Sequence, residues 1–461
     1  MAQSEKEREK TGSNVNIGKV ASRTLKLLAS KGCDDAIVEA KEARQSQIKF
    51  VNNKILGISN VDHVGMDIFV SQKGKTAATT IENLDEEYIS AAISKLIGLL
   101  KYMPVNKGFK GISKGPFRYR KVKMSYDTKI ANLGKNAADI VEKGIDLAKK
   151  EGASRVSGNF DYGKTRSAIC TTEGTEAEET GTHAYFSIRS FASKEASGHK
   201  TACARMLGKL DYATAAKRSG QMAMQGINPE QLDSGKYEVI FDPMAFAVLA
   251  DNVASACSIF SVESGLSFLG DKIGKEVASR DFTMVDDGRL ANGFGSSMFD
   301  DEGTPTSRNA TIENGKLRSF LYNYSAALRH KSKYKAKNTA NAGIVSPEPW
   351  NTIVMPGKRR SEKLFKDVSK GLYITNIWYT RFKNYSTGDF STIPRDSIFL
   401  ISDGKIKKAV KGIRISDNML RMLKNIYQIS DKPEQVIGWE TERPVTTPFV
   451  AINDVNVSKS V

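Results

Sequence analysis

Residues 398–410 read "IFLISDGKIKKAV". β-Branched and aromatic residues run into Asp403-Gly404, and a basic residue leads out into a second apolar run. This is a hairpin pattern, because Asp-Gly tolerates the positive φ angles that a right-twisted strand pair needs at a two-residue turn. "ATIENGKLRSFL" (residues 310–321) repeats the pattern around Asn314-Gly315, and "FTMVDDGRLANG" (residues 282–293) repeats it around Asp287-Gly288. The three tracts predict a C-terminal half built mainly of antiparallel hairpins, with "TPFVAINDVNV" (residues 447–457) as its last strand.

Working back from these tracts, the texture changes near "GINPEQLDSGK" (residues 226–236), where turn residues cluster before the strand-like "YEVIFDP". Upstream, helical periodicity predicts helices over 17–31, 84–100, 127–150 and 211–226. Alternating stretches with turn pairs at Asn52-Asn53 and Lys73-Gly74 predict antiparallel strands, and further strands are expected over 154–169 and 183–191. A small-residue helix is expected over 244–260. The fold class is therefore α+β in two domains: an N-terminal domain over 15–228 with helices on one face of an antiparallel sheet, and a β-rich domain over 229–461. Residues 1–14, "MAQSEKEREKTGSN", are too polar to join a core and are expected to form a flexible tail.

At 461 residues the chain is long enough for two cores, and 40% hydrophobic with 26% charged residues is a globular balance that argues against general disorder. No window approaches the roughly 18 unbroken apolar residues of a membrane helix. Four scattered cysteines without CxxC spacing or a secretory leader suggest reduced thiols and a cytoplasmic location. The net charge of +17 favours anionic partners, but the basic residues are dispersed and no nucleic-acid-binding motif accompanies them. A nucleic-acid-binding or scaffold role is thus a secondary alternative.

Motifs for chemistry are sparse. The four histidines form no HExxH or compact ligand set. His199 and Cys203 would share a face if their segment were helical, and two soft ligands could begin a zinc site without completing one. Asp300, Asp301 and Glu302 lie in "FDDEGTPTSR" (residues 299–308), where Gly303 and Pro305 predict a corner whose carboxylates face water. A ligand contact or acid/base chemistry is the other reading of that triplet. Trp378, Tyr379, Phe382 and Tyr385 interleave with Arg381 and Lys383 in "NIWYTRFKNYSTGDF" (residues 376–390) and run into a turn at Thr387–Asp389. Such aromatics suit packing, a partner chain or an extended peptide. A hydrolase using His199, Cys203 or the acidic triplet as an unconventional site is the enzyme alternative.

Four ordered tracts carry a family resemblance: residues 264–288, "SGLSFLGDKIGKEVASRDFTMVDDG"; 299–327, "FDDEGTPTSRNATIENGKLRSFLYNYSAA"; 371–391, "GLYITNIWYTRFKNYSTGDFS"; and 399–429, "FLISDGKIKKAVKGIRISDNMLRMLKNIYQI". Together they resemble the TldD/PmbA family, U62-type peptidase-like, and more closely its PmbA (TldE) branch. The resemblance implies a cytoplasmic subunit that pairs with a TldD-like catalytic subunit and helps it enclose unfolded or extended peptide. It also allows a homodimer when this chain is isolated. Family TldD-like chains carry zinc on HExxxH and a later cysteine. Here that motif falls on "VLADNVAS" (residues 248–255), with Ala250, Asp251 and Ser255 at the histidine, glutamate and histidine positions, and no cysteine follows Cys257. The expectation is no cofactor in this chain, no catalytic residue of its own and zinc in the partner. Peptide or partner contact is expected at Asp300, Asp301, Glu302, Trp378, Tyr379, Phe382, Tyr385, Thr387 and Asp389.

Overall fold

A computed structural model describes residues 16–459. The expected 1–14 tail lies outside the described residues. Six strands build the first sheet: β1 (Asp35–Val51), β2 (Lys54–Gln72), β3 (Lys75–Ile81), β4 (Arg155–Thr171), β5 (Glu176–Phe191) and β6 (Ser197–Ala204). They are ordered β3-β2-β1-β4-β5-β6 and every neighbouring pair is antiparallel. The β1–β2 turn places Asn52 and Asn53 at φ 51° and 67°, a conformation that asparagine accepts more readily than most residues.

Four helices cover one face of this sheet: α1 (Ile17–Ser30), α2 (Glu86–Leu100), α3 (Asn136–Lys150) and α4 (Tyr212–Gln225). Alternate residues of β1 explain the arrangement. Val38 and Ala40 bury beneath α1 and α2, whereas Ile48 and Phe50 bury beneath α3. The helix expected over 127–150 is broken into Thr128–Ala131 and α3, because Gly134 adopts φ 50° between them. The opposite face of the sheet buries Ile37, Phe69 and Ile169 against Ile112 and Phe299, so the acidic tract of the second domain sits on the first domain's sheet.

The second domain holds two sheets. One orders β11 (Lys316–Leu317), β10 (Arg308–Glu313), β9 (Met284–Asp287), β12 (Thr352–Val354), β19 (Thr441–Thr447) and β18 (Glu434–Gly438). The other links β13 (Lys370–Asn384), β8 (Gly235–Phe241), β20 (Val450–Lys459), β16 (Ile413–Asn418) and β14 (Asp389–Ser402), and a β13–β14 pairing closes these five into a ring. From β14 the sheet extends through β15 (Lys405–Lys411) to β7 (Glu230–Gln231), and β17 (Ile426–Ile429) pairs with β20. Asp403-Gly404 and Asn314-Gly315 both turn with paired positive φ angles, as their hairpin pattern predicts.

The third expected hairpin does not form. β9 ends at Asp287 and the chain continues through turns rather than into a returning strand. The cause is the buried Asp286, whose carboxylate accepts from the backbone amides of Trp350 and Asn351 at 2.8 and 3.0 Å and also from the Asn341 amide. These bonds commit the strand end to the 341–351 loop.

Helix α5 (Pro243–Ala256) lies between the ring and the β12–β19 sheet, and only Asn252 and Ser255 escape full burial. It stops at Ala256; residues 259–263 form a separate short helix, so the helix expected over 244–260 is divided. Its apolar circumference requires cover on all sides. Alanines at 245, 247, 250, 254 and 256 permit close strand approach, whereas Phe246, Val248, Leu249 and Val253 each contribute about 1.5–3 kcal/mol by leaving water.

Candidate functional site

The buried helix α5 organises the site. Asp242 caps it, accepting from the Met244 amide at 3.0 Å, and Pro243 occupies the first turn, where its missing N–H costs nothing. The same carboxylate receives Lys200 Nζ at 2.9 Å, Arg218 Nη2 at 2.9 Å and the Tyr373 hydroxyl at 2.7 Å. Glu434 bridges Lys200 and Arg218 from β18. Burial opposes the Asp242 charge, but Lys200 and Arg218 overcome it and hold the carboxyl below its usual range. Two cations from β6 and α4 are thus locked onto two anions from the second domain.

Two turns further along α5, Ala250 is buried in apolar contact and Asp251 is 5% exposed. Asp251 Oδ2 accepts from the Glu442 amide at 3.1 Å. Arg443 enters beside it from β19: its Nη1 lies 3.9 Å from Asp251 Oδ1 and 3.4 Å from Ser255 Oγ, and its Nε donates to Glu348 Oε2 at 3.1 Å. Burial raises the Asp251 carboxyl to about 6 despite Arg443. A guanidinium therefore lies against two of the three positions singled out in the sequence, Asp251 and Ser255.

Those residues do not fit zinc. A methyl group offers no lone pair, the Ser255 hydroxyl faces a guanidinium, and a dication would be repelled by the same arginine. Among the described residues no group of three or more His, Cys, Asp or Glu side chains could hold a metal ion.

Residues 234–459 match the PmbA/TldA metallopeptidase C-terminal domain. The chain belongs to the TldD/PmbA family. It is similar to a metalloprotease from Methanothermobacter thermautotrophicus, 26% identical over 316 residues, covering 65% of this chain and 68% of that protein. Its likeness to a metalloprotease PmbA homolog from Haemophilus influenzae is 23% identity over 94% of this chain and 93% of that protein. Several further relatives are matched over only about half of their length. The solved structure of TldE from Thermococcus kodakarensis superposes with a TM-score of 0.84 at 19% identity, covering 95% of this chain and all of that one at 100%, which establishes a common fold.

Within this TldD/PmbA fold the remaining expected residues fall into two separate places. The acidic triplet is a corner, but two of its three carboxylates, those of Asp300 and Glu302, do not face water, and Asp301 is half-buried. Asp300 and Glu302 are 1% and 3% exposed. Asp300 Oδ1 accepts from the Glu302 and Thr304 amides at 2.9 and 2.7 Å; Glu302 Oε2 accepts from Tyr324 N at 2.8 Å, and Asp301 Oδ2 from Gly343 N at 2.6 Å. The triplet binds backbone from three loops where the domains meet. Burial pushes Glu302 up to about 7 and raises Asp300 well above the usual carboxylate range, with Glu302 adding to the Asp300 shift.

The aromatic tract lies on the β13–β14 hairpin. Trp378 is half-buried between Arg189, 5.0 Å from its ring centre, and Arg395 at 5.8 Å. Tyr379 is 43% exposed, with the left-handed φ of 57° at a bulge. Phe382 stacks on Phe268 and Tyr385 at 6.1 and 4.9 Å, and Tyr385 is exposed. Thr387 Oγ1 donates to Asp389, which also receives the Asn418 amide at 2.9 Å and tightens the turn. Among the described residues no hydrogen bond or ion pair joins this tract to the acidic corner.

His199 and Cys203 sit on β6, not on a helix, because the segment pairs residue by residue with β5. His199 touches Ser187 and Asn376, while Cys203 approaches the Gln435 carbonyl at 3.5 Å. Burial lowers His199 to about 4 and raises Cys203 to about 12, leaving a neutral imidazole and a protonated thiol at neutral pH. Sequence reasoning missed Arg443, Glu348 and the Lys200–Asp242 cluster. It also missed Trp439, which is 80% exposed on the turn between β18 and β19. Glu440, beside that tryptophan, accepts from the Thr380 amide at 3.2 Å and so ties this turn to the aromatic tract.

Proposed function

We propose that this chain is the non-catalytic PmbA/TldE-like subunit of a cytoplasmic zinc peptidase, pairing with a TldD-like subunit that holds the metal and cleaves unfolded or extended peptide. Its division falls near 15–228 and 229–461. The observation that carries the reading is Arg443 lying against Asp251 and Ser255: the helix that would present metal ligands instead packs against a fixed organic cation. Chemistry then belongs to the partner, and a homodimer forms when this chain is alone.

The peptide or partner contact centres on Tyr379, Tyr385, Thr387 and Asp389 with Trp378 and Phe382 behind them, and extends to Trp439 through the Glu440–Thr380 bond. Asp300, Asp301 and Glu302 support it by holding the loops between the domains. Photocross-linking of a model unfolded peptide to the reconstituted complex tests this surface. Labels at Tyr379 to Asp389 are expected; labels confined to the TldD-like subunit would remove this chain from the peptide path. Activity in the mixture, absent from this chain alone, tests the division of labour.

A further inference from the structure

We propose that the strap over residues 107–123 is a docking strip for acidic, extended polypeptide, a site that rests on the peptide-handling reading above and names a substrate class for it. From Tyr88 to Tyr126 the sequence contains no Asp or Glu, and the strap alone carries seven Lys or Arg side chains, every one exposed. Among the described residues none of the seven forms an ion pair. So dense a run of like charges repels itself, and the strap stays down because other residues along it bind inward. Ile112 is buried on the outer face of the first sheet, with Phe109 and Tyr119 packed beside it. Ser113 Oγ accepts from Thr304 Oγ1 at 2.8 Å, the Gly115 amide donates to the Glu173 carbonyl at 2.9 Å, and the Tyr119 hydroxyl donates to the Gly303 carbonyl. The strap is thereby fastened over the acidic corner, and Lys114, Arg118 and Arg120 are left facing water on its even-numbered side.

Spacing and charge select the occupant. Residues two apart in an extended chain stand about 6.5–7 Å apart, so carboxylates along one side of a second extended chain meet Arg118 and Arg120 in step. An unfolded acidic segment adopts that spacing without first losing structure of its own. Base stacking finds no platform, because the aromatics of the strap pack into the protein: Tyr119 lies edge-on to Phe117 and Phe299, and Phe109 tilts onto Phe69. Two of the cations have acidic neighbours, Lys114 near Asp35 and Lys121 in a cleft with Glu178 and Glu179. Arg118, Arg120 and Lys123 remain for a ligand at one end, and Lys107 and Lys110 at the other. There the strap adjoins the helix Tyr324–Tyr334: Arg329 Nη1 donates to the Gly108 carbonyl at 2.8 Å, and exposed Lys331 and Lys335 extend the positive surface. Tyr102 and Val105, 87% and 57% exposed just before the strap, offer apolar contact to the same chain.

Fluorescence anisotropy on the full chain, in low salt and in about 0.3 M salt, tests the strap with a labelled peptide of alternating Glu and Ser, its Gln-Ser counterpart and single-stranded DNA of equal length. The Glu-Ser peptide is expected to bind in low salt about tenfold or more tighter than the Gln-Ser peptide and to be released in salt. Arg118→Gln/Arg120→Gln should weaken that binding by about tenfold or more while leaving circular dichroism and the melting curve unchanged, since both side chains face water. Lys366→Gln/Lys405→Gln removes the same charge from exposed positions elsewhere and should keep full binding. No binding of the Glu-Ser peptide, or equal losses in the two double variants, overturns the strap as the site. DNA that binds more tightly than the Glu-Ser peptide and is lost in the Arg118→Gln/Arg120→Gln variant overturns acidic polypeptide as its occupant. The assay uses this chain without a TldD-like subunit and reads no cleavage, so failure here removes the strap's role and leaves the division of labour to its own test.

Discussion

Arg443 stands 3.9 Å from the carboxylate of Asp251, on the buried helix that would carry the metal in a TldD-like chain. An aspartate with 5% exposure needs a cation or a proton, and Arg443 supplies the cation while Glu348 orients it. Arg443→Met should therefore destabilise the chain by about 2–3 kcal/mol in urea unfolding, below the full cost of a sealed pair because the arginine retains some water contact. Asp251→Asn in the same background should recover part of that loss. Additive effects of the two substitutions would show that the residues do not interact.

A larger effect is expected at the other end of α5. Lys200 and Asp242 are both sealed from water, and Lys200→Met would leave Asp242 with Arg218 as its sole cation. The expected loss is about 3 kcal/mol, towards the low end for a broken buried pair because that second cation remains. Hydrogen exchange should report it first in β6 and at the start of α5, where the two domains are joined. Exchange rising only at distant chain ends would contradict a latch.

Glu302 gives a pH dependence with a defined sign. Its folded value is about 7 against an ordinary 4.5, because burial disfavours the charge. The native state keeps the proton longer than the unfolded chain, so this contribution is fully present below about pH 4.5 and is lost as pH rises through 7. Unfolding free energy should fall across that window by on the order of a few kcal/mol, seen as a falling melting temperature, and Glu302→Gln, which preserves the acceptor for Tyr324 N, should flatten the decline. An unchanged slope in this variant would assign the effect to another group.

Rebuilding the ligand positions should not rebuild a metal centre. Ala250→His places an imidazole where a methyl is 1% exposed, and overpacking of this kind costs about 1–3 kcal/mol. The triple variant Ala250→His/Asp251→Glu/Ser255→His should unfold at lower denaturant and gain no tight zinc binding while Arg443 remains. Tight, stoichiometric binding in calorimetry would show that the arginine is no barrier.

The hairpins were legible because Asp403-Gly404 and Asn314-Gly315 encode their turn geometry in adjacent residues. Asp287-Gly288 carries the same letters and forms no hairpin, since Asp286 is captured by amides more than sixty residues away at Trp350 and Asn351. Of the candidate site, the family resemblance names Ala250, Asp251 and Ser255 as the positions that would carry a metal motif. Arg443 lies 188 positions from Ser255, and local periodicity contains no signal for that meeting. The acidic triplet misled for a related reason. Its glycine and proline mark a corner, but burial depends on Thr175 and Tyr324 arriving from elsewhere in the chain.

If catalysis belongs to the partner, as proposed, zinc content together with peptidase turnover on an unfolded substrate will show it, measured for this chain alone and after adding a TldD-like subunit. The prediction is no stoichiometric zinc and no turnover for the isolated chain, with both appearing in the complex and the metal confined to the added subunit. Stoichiometric zinc with turnover in this chain by itself would contradict it.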